Sequence, residues 1–509
     1  MILRLTDNKR YLKILDCTEA EYDQLLLSFT LRINNWRFHP LVKKGVWDGN
    51  ICFVKDGLVP SSCYDYLKKI FKSYGFECKT KGIKTRLWDA DIDYDEFKQW
   101  VADFFEGTKW QPRDYQIDAA FKILKYRRCV AQLATSAGKT LVSFIVFAYM
   151  FDKLKLKKIL MVVPTTQLVT QGYDDFEEYN SDKLPLNIQM FFAEKAKELK
   201  PNTNIVIGTF QTLVNYPPEW FYDFDAVFVD ECHKAATANS IQKVLDNLWH
   251  CDYRFGMTGT IPKVDTCDYV NMIANLGPII TQVKAKFLQE EGFITKCKIH
   301  QVYMNYATEE QRKSFFTISK AKDGQRLYTL EQNFVIESNK RFKYITKVVS
   351  KQDNNSLVLF HRTKYGKKLY DWFRENTNKK VYYIDGEINN KTRDEIKKRM
   401  EKYGDVIVVG SFSCIGTGLS INRIFNIFFT ESYKSQFVII QAIGRGLRKH
   451  KDKDMVHIYD FVDDLSYVYV DEKTKRKKTW KNFTIKHAND RKLLYDEESY
   501  PNEKINVVL

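Results

Sequence analysis

Cysteine is sparse and scattered in these 509 residues: there are ten, no two form a C-x-x-C pair, and the closest, Cys52 and Cys63, stand eleven positions apart. That spacing excludes a zinc ribbon and a thioredoxin-like redox pair, and predicts reduced, mostly buried thiols. Long apolar runs are missing too. The stretch 141–151 falls well short of the roughly 20 residues that a bilayer span needs. The first ten residues are charged and hold no apolar signal core, so the expectation is a cytoplasmic protein with no membrane partner. No internal repeat or low-complexity tract stands out, and an aromatic share of 15% argues against long disordered stretches.

What is present is positive charge and enough chain for several cores. Eighty Lys and Arg against 64 Asp and Glu leave +16, which suits a polyanionic partner without distinguishing nucleic acid from an anionic surface. Between about 103 and 262, short apolar runs at 129–133, 159–164, 188–192, 205–208, 226–229 and 253–257 alternate with helical stretches. This is the pattern of a parallel α/β sheet. A second series follows at 356–360, 381–384, 406–410, 424–430 and 456–461, and the polar stretch 308–353 reads as helical. Residues 1–100 instead read as a small α+β domain, with strands at 2–5, 11–17, 46–54 and 76–79 and helices at 19–29 and 64–74. The sheet pattern is expected to end at 461. The basic run 473–481, which contains Trp480, is expected to be a solvated or flexible segment.

Three segments carry chemistry. In Leu133-Ala134-Thr135-Ser136-Ala137-Gly138-Lys139-Thr140 an apolar strand enters a loop of small residues and a helix leaves it. Small residues let backbone N–H groups approach phosphate oxygens at the helix N-terminus. Lys139 would reach the β- and γ-phosphates of ATP, and the Thr140 hydroxyl would ligate Mg²⁺. Leu133 stands where the strict phosphate-loop pattern has its first glycine. In Asp230-Glu231-Cys232-His233 two carboxylates and a histidine follow a buried strand, where α/β proteins place ligand-binding groups. Asp230 suits Mg²⁺, Glu231 suits a general base for the attacking water, and His233 suits coupling to a neighbouring domain. In Gln441-Ala442-Ile443-Gly444-Arg445-Gly446-Leu447-Arg448 the two arginines, three apart, are expected on one helix face. Their fixed, permanently charged forks suit the charge that develops during phosphoryl transfer.

In this order the segments resemble the motifs of superfamily 2 helicases, over about residues 110–463. Arg113 and Gln116, within Pro112-Arg113-Asp114-Tyr115-Gln116, resemble the adenine-reading element, so the resemblance assigns nucleotide contacts to Arg113, Gln116, Thr135, Ser136, Ala137, Gly138, Lys139 and Thr140. Pro164 and Thr165, Thr209, and Thr417 in the segment 413–420 (with Gly416 and Gly418) resemble strand-gripping motifs. Thr258, Gly259 and Thr260, with His233, resemble the element that couples hydrolysis to DNA movement. The implied fold is α/β: two tandem RecA-like parallel-sheet motor domains at 101–290 and 291–464, preceded by the small α+β recognition domain 1–100 and followed by a basic C-terminal extension, 465–509. The chain further resembles the phage UvsW-type branched-DNA helicases. The basis is the Thr-Ser-Ala-Gly-Lys loop, the Asp-Glu-Cys-His tetrad, the length, and Trp36-Arg37-Phe38-His39-Pro40 followed by Gly45-Val46-Trp47-Asp48-Gly49.

That resemblance implies a monomeric, ATP- and Mg²⁺-dependent motor of the host-cell cytoplasm. It would unwind or branch-migrate forked and four-way DNA with 3′–5′ polarity in recombination, repair and replication, with RNA–DNA hybrids as an open further substrate. The catalytic set would be Lys139, Asp230 and Glu231 on one side of a cleft and Gln441, Arg445 and Arg448 on the other. Hydroxyl and backbone contacts at Thr165, Thr209 and Thr417 would hold phosphates without reading bases. Arg37, Lys43, Lys44 and Trp47 combine charge with an aromatic in the small domain, as a DNA contact or as a solvated basic face over a core residue. Three other readings use the same residues: a double-strand translocase that does not unwind, an RNA helicase, and a non-catalytic nucleic-acid scaffold.

Overall fold

Strands that stay buried on both faces belong inside a sheet covered by helices. Ile159–Val163, Ile205–Thr209 and Tyr253–Thr258 are buried at every position. In the computed structural model they lie in a seven-stranded, all-parallel sheet. The model describes all residues except 82–87, 193–197, 237–238, 321–322, 389 and 413–420. It divides into two units, Met1–Val283 and Lys284–Leu509.

In the first unit the strand order is Ile279–Val283, Arg128–Leu133, Tyr253–Thr258, Ala226–Asp230, Ile159–Val163, Ile205–Thr209 and Ile188–Phe191. All six expected strands form. The seventh, Ile279–Val283, is an edge strand that is half exposed and carries Thr281 and Gln282, so it lacks the apolar run that marks its neighbours. Helix Lys139–Asp152 is buried from Leu141 to Met150, as befits a helix that is apolar around its whole circumference.

The small N-terminal domain has a four-stranded sheet in the order Leu58–Pro60, Tyr11–Asp16, Ile2–Leu5 and Lys79–Thr80, covered by helices Glu19–Phe29 and Tyr64–Ser73. The strand expected over 46–54 is only Asn50–Cys52, paired with Thr30–Arg32. Its core is continuous with that of the neighbouring α/β domain. Two arginines are fully buried near this junction, Arg128, which bridges it, and Arg254, which braces the α/β side. Arg128 donates to the carbonyls of Lys9, Trp249 and Cys251 (3.3, 3.2 and 3.1 Å) and lies 3.7 Å from the Trp88 ring centroid. Arg254 donates to the carbonyls of Leu245, Leu248 and Asn275 and stacks at 4.1 Å on Trp249. Main-chain oxygens and aromatic faces thus replace the water that a buried guanidinium gives up.

The second unit holds another all-parallel sheet, ordered Lys380–Ile384, Val406–Ser411, Ser356–Phe360, Asn426–Phe429, Met455–Asp463, Lys296–Asn305 and Asn502–Val508. The polar stretch 308–353 forms helices Glu309–Lys320, Gly324–Glu337 and Asn339–Ser350. The end of the chain departs from expectation. The sheet pattern continues past 461 to Asp463, and Asn502–Val508 adds its last strand along Lys296–Asn305. Within the basic run, Lys477–Trp480 pairs with Tyr467–Val470 as a hairpin whose Lys477 and Lys478 remain exposed. Polar side chains on an edge strand and a hairpin erase the apolar signature that sequence patterning relies on. Among the described residues no helix is long and apolar enough to cross a membrane.

Candidate functional site

Because the first sheet is parallel, all its strands end on one edge, and that edge collects the expected chemistry. Arg128–Leu133 runs into the loop before Lys139. Its neighbour Tyr253–Thr258 ends at Thr258, and the next strand, Ala226–Asp230, ends at Asp230. The turn after Asp230 sits close against the adjoining strand because Gly256 has no side chain: a Cβ there would meet Cys232 Cβ at 2.6 Å. Glu231 itself has φ 49°, so its carboxylate turns back toward the loop.

The loop is built for close approach. Ser136 and Gly138 have φ of 71° and 78°. The Ala137 carbonyl accepts hydrogen bonds from Gln116 Nε2 (3.0 Å) and the Tyr115 hydroxyl (2.9 Å). Arg113 N–H donates to Gln116 Oε1 at 2.9 Å, so Arg113 and Gln116 are locked to the loop. Tyr115 was not singled out by the sequence, although it lies inside the motif that marked its neighbours. Gly138 admits nothing larger, because a Cβ would lie 2.3 Å from Gln116 Nε2 at a backbone angle that L-residues avoid. Left-handed backbone costs a non-glycine residue about 1–2 kcal/mol, and a displaced hydrogen bond costs about 1 more. Gly138→Ala is therefore expected to lower the melting temperature by several degrees and, by pushing Gln116 off the loop, to raise the ATP KM roughly tenfold, as thermal unfolding and ATP titration will show.

Lys139 Nζ lies 3.4 Å from Glu231 Oε1. Burial pushes the Glu231 carboxyl up, but Lys139, His233 and Lys234 outweigh it and hold Glu231 well below the usual range. Asp230 shifts the other way: burial and the adjacent Glu231 charge raise it, with Lys139 offsetting part of the effect. Two carboxylates of different proton affinity thus stand side by side. Glu231 is also wired to the coupling residues. With His233 protonated at Nδ1, it donates to Thr258 Oγ1 at 2.8 Å, and that hydroxyl lies 3.3 Å from Glu231 Oε2 and 3.0 Å from the Thr260 carbonyl. Gly259 follows the same edge, its carbonyl 3.4 Å from Gln132 Nε2.

Farther along, Pro164, Thr165, Thr166, Thr209, Gln211, Thr212 and Asn215 line a cleft of about 340 Å³. Gln211 Nε2 donates to the Pro164 carbonyl (3.3 Å), joining the two expected strand-gripping segments. The Thr209 hydroxyl is buried and bonded to Thr212 at 3.0 Å, which leaves Thr165, Gln211 and Asn215 more open to a ligand. Thr417 lies outside the described residues. In the second unit, helix Gln436–Gly446 carries Gln441 and Arg445, but it ends before Arg448, contrary to the shared helix face expected. Leu447 N–H closes the helix on Ile443 and Gly444, and Thr295 then binds the Leu447 and Arg448 carbonyls, pulling the chain out of helical register.

Residues 109–263 match the family model of the type III restriction enzyme res subunit, and 340–450 match that of the helicase conserved C-terminal domain. Over 506 residues the chain is 31% identical to the ATP-dependent DNA helicase uvsW of Enterobacteria phage T4, covering 97% of this chain and 96% of that one. The chain belongs to the UvsW-type helicases. It is an ATP-hydrolysing DNA helicase of superfamily 2, and its two parallel sheets are the RecA-like domains of that superfamily. This UvsW-type helicase is also 22% identical over 383 residues to the DNA 3′-5′ translocase XPB2 of Sulfurisphaera tokodaii, covering 69% of this chain and 81% of that one. A solved structure of the type ISP restriction-modification enzyme LlaBIII bound to DNA shares the fold, with a TM-score of 0.55 at 16% identity, covering 78% of this chain and 32% of that one.

Proposed function

We propose that this helicase acts on branched DNA, regressing forks and migrating four-way junctions with 3′–5′ polarity in recombination, repair and replication, as a monomer in the cytoplasm of an infected host. RNA–DNA hybrids belong to the same substrate class. The observation that supports this reading is the shared strand-end edge, where the Lys139–Glu231 pair, the Thr258–His233 contact and the cleft at Pro164 and Thr165 stand side by side. A change at the phosphate end has a short path to the strand-holding end.

In this reading Lys139 holds the β- and γ-phosphates, and Glu231 accepts the proton of the attacking water as the bond to the γ-phosphorus forms and the bridging oxygen leaves. Glu231 is suited to this because its neighbours keep it ionised, and engaging a phosphate frees it from Lys139. The Thr140 hydroxyl and the Asp230 carboxylate are hard oxygen donors, few in number, as Mg²⁺ prefers when it keeps several waters. When bound, Mg²⁺ supplies charge that stabilises the phosphates in the transition state. Gln441, Arg445 and Arg448 act in phosphoryl transfer, while Pro164, Thr165 and Thr417 hold the DNA backbone, with Thr209 backing them through its buried contact to Thr212. Residues 1–100 recognise the substrate, 101–290 and 291–464 form the motor, and 465–509 adds non-specific affinity.

The test is a panel of forked, four-way, hybrid and blunt linear substrates with ATP and Mg²⁺. Strand separation on forks and four-way junctions is expected, with little on blunt duplex, and chelating Mg²⁺ with EDTA is expected to stop it. Movement along linear duplex without separation of any branched substrate would instead indicate a translocase.

A further inference from the structure

Within residues 33–49 of the small domain, three apolar side chains face solvent: Phe38 is 69% exposed, Leu41 46% and Val46 72%. A folded protein seldom leaves such a cluster bare unless something docks there. The segment Arg32–Gly49 carries four cations, Arg32, Arg37, Lys43 and Lys44, against one carboxylate, Asp48. Asp48 is exposed but engaged within the segment, accepting from the Asn50 N–H (2.9 Å) and Asn50 Nδ2 (2.6 Å). The surface of the segment is therefore apolar tips among an excess of positive charge, its one carboxylate already held by Asn50. This pattern fits bases stacked between phosphates, whereas a protein partner's apolar surface offers nothing to the cations.

We propose that residues 33–49 form a rigid base-stacking wedge that inserts Phe38 and Val46 at the branch point of DNA. The inference rests on the branched-DNA reading and names the element that would engage the branch. Rigidity comes from within the segment. Ile33 N–H donates to the Gly49 carbonyl (2.9 Å), Phe38 N–H to Asn35 (2.9 Å) and Val46 N–H to Leu41 (3.0 Å). Trp47 Nε1 donates to the Asn50 carbonyl (2.9 Å), and its ring meets His39 edge-on at 5.0 Å. The base of the wedge closes tightly, because a Cβ on Gly49 would lie 2.8 Å from Trp36 Cβ. Arg32 and Arg37 pack on the Trp36 ring at 4.4 and 5.3 Å, which positions both guanidinium groups.

The wedge is anchored where force would arrive. Asn34 Nδ2 donates to Asp268 Oδ2 at 2.6 Å, and the Tyr66 hydroxyl donates to Asp265 Oδ1 at 2.8 Å. Tyr66 also packs against Tyr269 at 5.8 Å. Asp265, Asp268 and Tyr269 lie five to nine residues after Thr260, so Asn34 ties the wedge, and Tyr66 the helix beside it, to the chain that follows the Thr258–Gly259–Thr260 element.

Phe38 and Val46 are exposed, so replacing them leaves the core untouched. The test compares the full-length parent, Phe38→Ala/Val46→Ser and Phe38→Trp on a fork with 2-aminopurine at the branch, measuring base fluorescence, unwinding rate and single-strand-stimulated ATPase. Loss of base stacking is expected to slow fork unwinding about tenfold or more. It is also expected to abolish the fluorescence change while ATPase stays within about twofold, with Phe38→Trp keeping both branch readouts at the parent's level. A double variant that unwinds forks and reports on 2-aminopurine as the parent does overturns the wedge and leaves the helicase reading standing. A parent that separates no branched substrate overturns both. If the patch binds anionic phosphatidylserine vesicles and the parent gives no fluorescence change on the fork, the wedge is likewise overturned.

Discussion

Lys139→Ala is expected to lower DNA-stimulated ATP turnover by about 10²–10³-fold, the scale seen when one preorganised charge-stabilising donor is removed. The structure explains why a single side chain has this reach. Lys139 is the cation nearest the buried Glu231 carboxylate, and it moderates the rise of Asp230 as well. Without it, two carboxylates face an anionic substrate with one fewer compensating charge, so nucleotide affinity and turnover fall together. Glu231→Gln provides the contrast: turnover is lost in the same range, but ATP binding is kept or tightened, because the amide no longer repels the γ-phosphate or ties up Lys139. Steady-state phosphate release and titration with a fluorescent ATP analogue separate the two variants. Both are expected to bind DNA like the parent without nucleotide, since neither residue lines the cleft at Pro164 and Thr165. Parent-like turnover in Lys139→Ala would remove the phosphate loop from the mechanism.

Lys139, Asp230, Glu231 and Thr258 were legible in the sequence for a physical reason. Each follows an apolar run that sits in the middle of a sheet, where burial on both faces writes an unbroken hydrophobic signal, and a parallel sheet brings the ends of such runs to one edge. Ile279–Val283 and Asn502–Val508 stand at sheet edges, so half of each strand is polar and the signal fades. Arg448 looked helical because three-residue spacing cannot report that Thr295, 153 positions away, captures the backbone at that point. The same limit hid the buried arginines. Nothing near Arg128 in the chain announces carbonyl partners at Lys9 and Cys251, which lie 119 and 123 positions away. The segment 33–49 was legible as aromatic and basic, but its exposure was not, since Trp36 and Trp47 are partly covered while Phe38 stands out.

A second large effect is expected in the unit Lys284–Leu509, at a buried ion pair that the sequence does not announce. Arg341 and Asp463 are both fully buried, with Arg341 Nε 2.6 Å from Asp463 Oδ1. Arg341 also donates to the Tyr365 hydroxyl (2.8 Å) and the Thr430 carbonyl (2.5 Å), and the Tyr306 hydroxyl donates to Asp463 Oδ1 at 2.9 Å. Burial works against the Arg341 charge, but Asp463 more than offsets it, so the guanidinium stays protonated. Asp463→Ala leaves that charge in the core without its counter-ion, which costs about 3–5 kcal/mol. Urea unfolding of the full chain is expected to show the transition of this unit moving to lower denaturant while that of Met1–Val283 stays in place. Arg341→Met combined with Asp463→Leu is expected to recover most of the loss, because it removes both charges together. The damage should also reach function before the unit unfolds. Thr430 precedes Glu431, whose Oε2 accepts the N–H groups of His361 (2.7 Å) and Arg362 (3.0 Å), so the same network fixes the turn that follows strand Ser356–Phe360. Asp463→Asn retains the shape and loses the charge, so it should fall between Asp463→Ala and the parent in stability and in fork unwinding. If Asp463→Ala instead unfolds at the parent's denaturant concentration, water or another carboxylate must reach Arg341, and the network does not brace this unit.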